Sequence, residues 1–297
     1  MKVTVDVVHA FDHKGSGGNP AGVVLDADSL AGDERQAVAA ATGLSETAFV
    51  SRSNAADFRL EFFTPKRQIA HCGHATIATF SYLRQIGRVR AGATSKETID
   101  GRREILIEGD TAFMEQRGPV YVAPDDIAPA VTRSRIHASL GAPLGAAQAK
   151  RPPIVCSTGN RFLLVALRDD AALRSLEPDM RQIEAISDEL DLIGYYAWAP
   201  AQGDCAATTR MFAPRYGIDE EAATGMAAGP LACYLHDRCG LRANPLVIEQ
   251  GAFMTPPSPS RLTVNLESND AGIRRLFVGG TARHVRTLAV DLSAMAA

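Results

Sequence analysis

Few cysteines, one tryptophan and no long apolar run characterise this chain of 297 residues. The five cysteines, Cys72, Cys156, Cys205, Cys233 and Cys239, are odd in number and irregularly spaced, and no CxxC pair suggests zinc or a redox motif. Reduced, cytoplasmic thiols are the simplest account. Apolar stretches such as Phe162 to Leu167 fall far short of the roughly 20 residues a membrane helix requires, so no membrane span is expected. Met1 to Val8 alternates apolar and polar residues and reads as a strand, not as a signal peptide. Basic residues do not exceed acidic ones: the net charge is -3 and the pI about 6.2. Nucleic-acid binding needs basic stripes, and Arg88/Arg90 and Arg102-Arg103 are only pairs, so no nucleic-acid partner is expected.

The remaining composition, 46 % hydrophobic and 22 % charged, is ordinary for a globular enzyme. The length fits two domains of about 100 to 150 residues. Comparing the chain with itself supports that division. Gly18-Asn19 before an apolar run matches Gly159-Asn160, at an offset of 141 residues. The amphipathic segment from Asp33 matches the one from Asp179, each with an Asp at the expected helix cap. Arg59 to Pro65 matches Thr208 to Pro214, each a short strand closed by Pro. Cys72-Gly73-His74-Ala75-Thr76 matches Ala222-Ala223-Thr224-Gly225-Met226, each a helix start rich in small residues. Tyr82-Leu83 before Gly87 matches Tyr234-Leu235 before Gly240, with Gly placed to cap the helix. Five matches in one order, with offsets rising slowly to 153, indicate a duplication.

The two inner helices, about His74 to Leu83 and Thr224 to Leu235, are rich in Ala, Leu and Tyr around most of their circumference, as enclosed helices are. The expected fold is α/β (α+β): two pseudo-symmetric domains, each a curved, mostly antiparallel sheet wrapped around a central helix. The domains are expected at residues 1–119, with a returning strand at 285–297, and at 125–282. Pro119 to Pro129 reads as the linker.

Equivalent helix starts in duplicated domains normally face a shared cleft and present N–H groups and positive dipole ends to it. That arrangement suits an anion, and Gly73 and Gly225 would admit a carboxylate close to the backbone. Alternatively, these glycines only allow close packing of helix on sheet. Glu46 stands where the first amphipathic helix hands over to an uncharged strand. It is either a solvated turn residue or a base aimed into the cleft. The second half has no carboxylate at the matching corner, near Gly194 to Trp198, so the fold alone does not require one. Glu220 and Glu221 read either as site residues or as charges favoured by the helix dipole. His71 and His74 are three apart without an acidic or His partner at a recognised spacing, so no metal is expected.

Gly17-Gly18-Asn19-Pro20-Ala21, Leu44 to Val50 around Glu46, Phe63-Thr64-Pro65, Cys72 to Thr76 and Ala223-Thr224-Gly225 together resemble the PhzF-like family of phenazine-biosynthesis isomerases. The resemblance spans almost the whole chain and implies a diaminopimelate epimerase-like fold. It implies that Glu46 is an acid/base that moves a proton between carbons of a small carboxylic acid without metal or organic cofactor. His74 matches the site histidine, and Glu221 stands for the usual aspartate; the resemblance places both with Glu46 in the catalytic set. Asn19, Gly73, Thr224, Gly225 and Met226 match positions that meet substrate. A homodimer is expected from the same resemblance. Related racemases use two thiols. Here Cys72 aligns with Ala222, which excludes that mechanism, and Met226 replaces a usual serine, which points to a smaller or less polar acid. Two other readings follow from these departures: a small-acid-binding protein without catalysis, and a one-carbon epimerase using Glu46 and Glu221.

Overall fold

The computed structural model describes residues 1–143, 145–148, 150–201 and 203–294. It divides into two compact units, Met1–Glu115 with Gly279–Ala297, and Gln116–Val278.

The first unit contains β1 (Lys2–Ala10), β2 (Asn19–Val24), α1 (Gly32–Thr42), β3 (Thr47–Ser51), β4 (Phe58–Phe63), β5 (Gln68–Ile69), α2 (Gly73–Gln85), β6 (Gly92–Thr98), β7 (Gly101–Glu108) and β8 (Thr111–Arg117, at the unit's boundary). The chain then builds the second unit with β9 (Val120–Val122), α3 (Pro124–Ile127), α4 (Arg133–Ser139), β10 (Ile154–Ser157), β11 (Arg161–Ala166), α5 (Asp170–Arg174), α6 (Met180–Leu190), β12 (Gly194–Pro200), β13 (Ala207–Ala213), β14 (Ile218–Glu221), α7 (Gly225–Cys239), β15 (Leu246–Gln250), β16 (Ser260–Asn269) and β17 (Gly272–Gly280). It returns to the first unit as β18 (Ala282–Asp291). Strand β18 covers residues 285–291 of the segment read as a returning strand, 285–297, of which residues 295–297 lie outside the described residues.

In the first unit β1 pairs antiparallel with both β18 and β2. Strands β2 and β3 are parallel, which requires a crossover, and α1 supplies it. Strand β4 is antiparallel to β3 and parallel to β6, and β6 pairs antiparallel with β7. The second unit repeats this order: β10–β11 antiparallel, β11–β12 parallel, β12–β13 antiparallel, β13–β15 parallel, β15–β16 antiparallel. Each half is thus the same α+β motif, mostly antiparallel with two parallel joints, as the internal matches imply.

Each sheet has a helix inside its curve. Helix α2 packs on β1, β2, β3, β7 and β18, and α7 packs on β10, β11, β15 and β16. Every residue of α2 from Gly73 to Ser81 is buried. Two of its buried side chains turn back onto the helix: the Thr76 and Thr79 hydroxyls donate to the carbonyls of Cys72 and Ala75, at 2.6 and 2.7 Å. The outer helices close separate apolar cores. In the first unit Val38 and Ala39 of α1 join Val3, Val5, Val24, Phe49 and Phe63, and in the second Ile183, Ile186 and Leu190 of α6 join Leu163, Val165, Tyr195 and Phe212. Gly18, which enters β2, has φ +86°, and a Cβ there would stand 2.8 Å from the Ala10 carbonyl oxygen. Both facts require glycine.

Three local expectations change. Pro119 to Pro129 is not a bare linker: it carries β9, paired with β10, and the short helix α3. Its Pro and Asp residues start the helix, since Pro124 lies at its first turn with Asp125 and Asp126 beside it. Asp33 is not the cap of α1. Ala31 takes that place, and its N–H donates to the Glu34 carboxylate at 2.8 Å. Asp179 does cap α6, accepting from Arg181 and Gln182 N–H.

Glu220 lies in β14 and does not serve the α7 dipole. Its two oxygens accept from Nε and Nη2 of the buried Arg210, both at 2.8 Å, and Arg210 also donates to the Leu176 carbonyl at 3.1 Å. Removing one charge leaves the other buried and unpaired, which costs about 3 kcal/mol in typical cases. Glu220→Gln is therefore expected to lower stability by about 3 kcal/mol in urea unfolding. A change below about 0.5 kcal/mol would place this pair with ordinary surface pairs.

Candidate active site

Glu46 is the last residue before β3. Gly43, in the left-handed region at φ 68°, ends α1, and the Thr42 hydroxyl holds the turn by donating to the Ala39 carbonyl and accepting the Leu44 N–H, at 2.8 and 3.2 Å. The Glu46 carbonyl accepts the N–H of Gly22 at 3.0 Å, which ties the residue to β2. The side chain does not go to solvent: Glu46 is only 8 % exposed. Of the two readings of this carboxylate, the solvated one is overturned. Enclosure comes from β2 and β3 meeting in parallel, a pairing that a charge count along the chain does not reveal.

His74, in the first turn of α2, brings Nε2 to 3.4 Å from Glu46 Oε2. On its other side Nδ1 lies 3.5 Å from Cys72 Sγ. The imidazole thus stands between a thiol and a carboxylate, all three side chains buried. Among the described residues, Glu46 Oε2 takes part in no hydrogen bond of good geometry. A buried carboxylate oxygen of this kind is an available proton acceptor, and a ring 3.4 Å away fixes its direction. Burial pushes the Cys72 thiol up from its usual value, which makes it a poor nucleophile at neutral pH.

One donor atom each from Glu46, Cys72 and His74 lies within 4.8 Å of the others, and O, S and N donors are types that zinc accepts. The spacing argument from His71 missed this set because Glu46 reaches it from the α1–β3 corner, far away in the chain.

Asn19 is buried at the start of β2, opposite Ala10. Gly73 opens α2 with Cys72 as its cap residue. The second unit holds the other expected residues in a network of its own. Thr224 caps α7, Gly225 is its first residue, and the Thr224 hydroxyl donates to the Glu221 carboxylate. Gln250, fully buried, accepts the Thr224 N–H at 3.1 Å and donates to the Glu221 carbonyl at 2.7 Å. The Tyr196 hydroxyl donates to the same Gln250 oxygen at 2.9 Å. Gln116 donates to the Gly225 carbonyl at 3.0 Å and packs where a Cβ on Gly229 would stand 2.2 Å from its oxygen. Met226 places its sulfur 3.7 Å from the Asn160 amide nitrogen.

Aligning the helix starts as the structure has them, Gly73 on Gly225, corrects one pairing. The counterpart of Cys72 is Thr224 and not Ala222, and that of His74 is Met226. The second thiol is still missing, with a hydroxyl in its place.

Sequence reasoning did not find Gln250, Gln116 or Lys96. Lys96 in β6 sits in the polar run Thr94 to Thr98, which reads as solvent-facing, yet it is fully buried. Its Nζ donates to Thr76 Oγ1 at 2.6 Å, lies 3.4 Å from His71 Nδ1 and stands 5.2 Å from the centre of the Phe62 ring. Burial brings its ammonium down to about 7. Burial, Lys96 and Arg103 together hold His71 neutral, well below its usual range.

Among known proteins, a family model described as phenazine biosynthesis-like protein (PhzC-PhzF) matches residues 8–287. An uncharacterized isomerase of Deinococcus radiodurans is 34 % identical, over 93 % of this chain and 90 % of that protein. Trans-2,3-dihydro-3-hydroxyanthranilate isomerase of Pseudomonas aeruginosa is 35 % identical, over 77 % of this chain and 78 % of its own length. The crystal structure of the PhzF-family phenazine biosynthesis protein of Bacillus anthracis superposes with a TM-score of 0.88 at 25 % identity, covering 98 % of this chain and all of that one.

The buried Lys96 generates a pH-dependent stability. Its folded-state value near 7 lies below the 10.5 of a free lysine, so between those values the unfolded chain binds more protons and stability rises with pH. Below pH 7 both states are charged and the full cost of burying the ammonium is felt. In urea unfolding, the wild type should gain several kcal/mol relative to Lys96→Met between about pH 6 and pH 10, on the scale of about 1.4 kcal/mol per unit. Parallel pH dependences of the two proteins would show that Lys96 titrates as a free lysine does.

Proposed function

The chain belongs to the PhzC-PhzF, phenazine biosynthesis-like, family of isomerases, and from that premise we propose that it moves a proton between carbons of a small carboxylic acid with Glu46 as acid and base. The observation that carries this reading is the buried Glu46 carboxylate facing His74 at 3.4 Å. One carboxylate can take a proton from one carbon of a conjugated system as carboxylate and return it to another as carboxylic acid, without any second base. His74 steers the carboxylate and supplies a hydrogen bond to whichever atom carries developing charge. The first turn of α2, with Gly73 at its start, adds a positive dipole end, which favours a substrate carboxylate and an enolate-like intermediate. In the second unit, Glu221 is assigned to the catalytic set and Thr224, Gly225 and Met226 to substrate binding, with Asn19 and Gly73 from the first.

No metal or organic cofactor enters this reading, because proton transfer within one carbon framework needs neither an electron acceptor nor a hydride carrier. The Pseudomonas relative is named for trans-2,3-dihydro-3-hydroxyanthranilate, a small carboxylic acid, which sets the class of substrate proposed here. Met226 offers a thioether in place of a hydroxyl and supports a smaller or less polar member of that class. The five cysteines, all free, support a cytoplasmic location. The proposed assembly is a homodimer.

The test follows proton NMR of trans-2,3-dihydro-3-hydroxyanthranilate and a panel of related acids in heavy water. Glu46→Gln should lower turnover of the accepted acid by about 10³-fold while leaving the fold intact by circular dichroism. Cys72→Ala should keep the rate within about 10-fold, since no thiol takes part, and a chelator should leave it unchanged. Near wild-type turnover by Glu46→Gln would sink the assignment.

A further inference from the structure

Lys96 has no part in the chemistry above, yet its placement is unusual. The chain has five lysines, and this one is fully buried. It faces no carboxylate at ion-pair distance among the described residues, although buried ammonium groups are normally paired. Instead it ends a line of short contacts that leads to the site. Nζ donates to Thr76 Oγ1 at 2.6 Å, and Thr76 Oγ1 donates to the carbonyl of Cys72, also at 2.6 Å. That carbonyl also accepts the Thr76 N–H at 3.2 Å, closing the first turn of α2. Cys72 has no side-chain cap bond of its own. Its backbone is therefore held from behind by Thr76, and Thr76 by Lys96.

We propose that Lys96 is a positioning residue for the Glu46–His74 site: through the Thr76 hydroxyl it fixes the Cys72 carbonyl from which α2 begins, and so sets where Cys72 and His74 stand against Glu46. This inference rests on the assignment of Glu46 made above. A hydroxyl that accepts from a strong donor becomes a stronger donor in turn, so the charged amine tightens the Thr76–Cys72 contact more than the neutral amine does. The groups facing Lys96 are His71 and Cys72 at the α2 entrance, Thr76 on α2, Phe62 on β4, Arg103 directly opposite on β7 and Asp100 in the β6–β7 turn. Burial is the main cause that brings its proton loss to about 7, Arg103 acts in the same direction, and Cys72 and Asp100 oppose it. The site should therefore change state with Lys96 across neutral pH.

The experiment reads this without substrate. With only five lysines, the Lys96 amine is followed by nitrogen NMR and assigned by its loss in Lys96→Met. The His74 ring signals are followed over the same pH range. In the wild type, His74 should shift in step with Lys96. Thr76→Val removes the hydroxyl and should abolish that step while Lys96 still titrates. Thr76→Ser keeps the hydroxyl and should restore it. Identical His74 titrations in the wild type, Lys96→Met and Thr76→Val would overturn the proposal. With an accepted acid, Lys96→Met should lower kcat about 10-fold with KM within about twofold, the pattern of a misplaced catalytic group, and an unchanged kcat would overturn it equally. A Glu46→Gln enzyme that turns over normally removes the reading on which this rests but leaves the NMR coupling intact, so the two failures are distinguishable.

Discussion

Helix α2 is buried along nearly its whole length inside the sheet of its own unit, and that burial decides what its first turn can contain. Buried polar groups there are held mainly by protein partners. Thr76 and Thr79 turn their hydroxyls back onto the helix, and Lys96 approaches from β6 to cover one of them. What is left in the entrance is Cys72, His74 and, from the α1–β3 corner, Glu46. A carboxylate enclosed beside an imidazole is costly for a fold to keep unless something is done with it. Its counterpart position in the second unit supports this view: β12 is entered through Ile193, so the same corner folds without a charge.

The two halves share a topology and differ in chemistry. The first carries the titratable set, Glu46, Cys72 and His74. The second replaces Cys72 by Thr224 and His74 by Met226, and holds its helix start with Gln250, Gln116 and Tyr196. The first offers a buried carboxylate beside an imidazole, and the second a hydroxyl, a carboxylate and backbone groups. That asymmetry fits an isomerase with one acid/base better than a racemase with two thiols.

Much of this was legible from residues alone, for identifiable reasons. The duplication could be read because turn and cap residues recur in order, and Gly18, Gly240 and Asp179 each serve where their conformational or hydrogen-bonding demands put them. The inner helices were legible from apolar residues on every face. Long-range pairing was not. The burial of Glu46 depends on β2 lying parallel to β3, and the bond of Glu220 to Arg210 depends on the β13–β14 hairpin. The pairing of Cys72 with Thr224 instead of Ala222 turned on two residues of loop. Lys96 was invisible because a lysine among Thr, Ser and Glu in an alternating strand carries every mark of an exposed position. Only the third dimension places it behind α2.

The central claim is that a single enclosed carboxylate carries the migrating proton. It is tested most directly with an accepted acid deuterated at the carbon that loses hydrogen, converted in ordinary water in a single turnover. A one-base shuttle holds the deuteron on Glu46 between the two carbons, so part of the label should appear at the product's new C–H position. Complete replacement by solvent hydrogen, at a rate that does not depend on Glu46, would contradict the account.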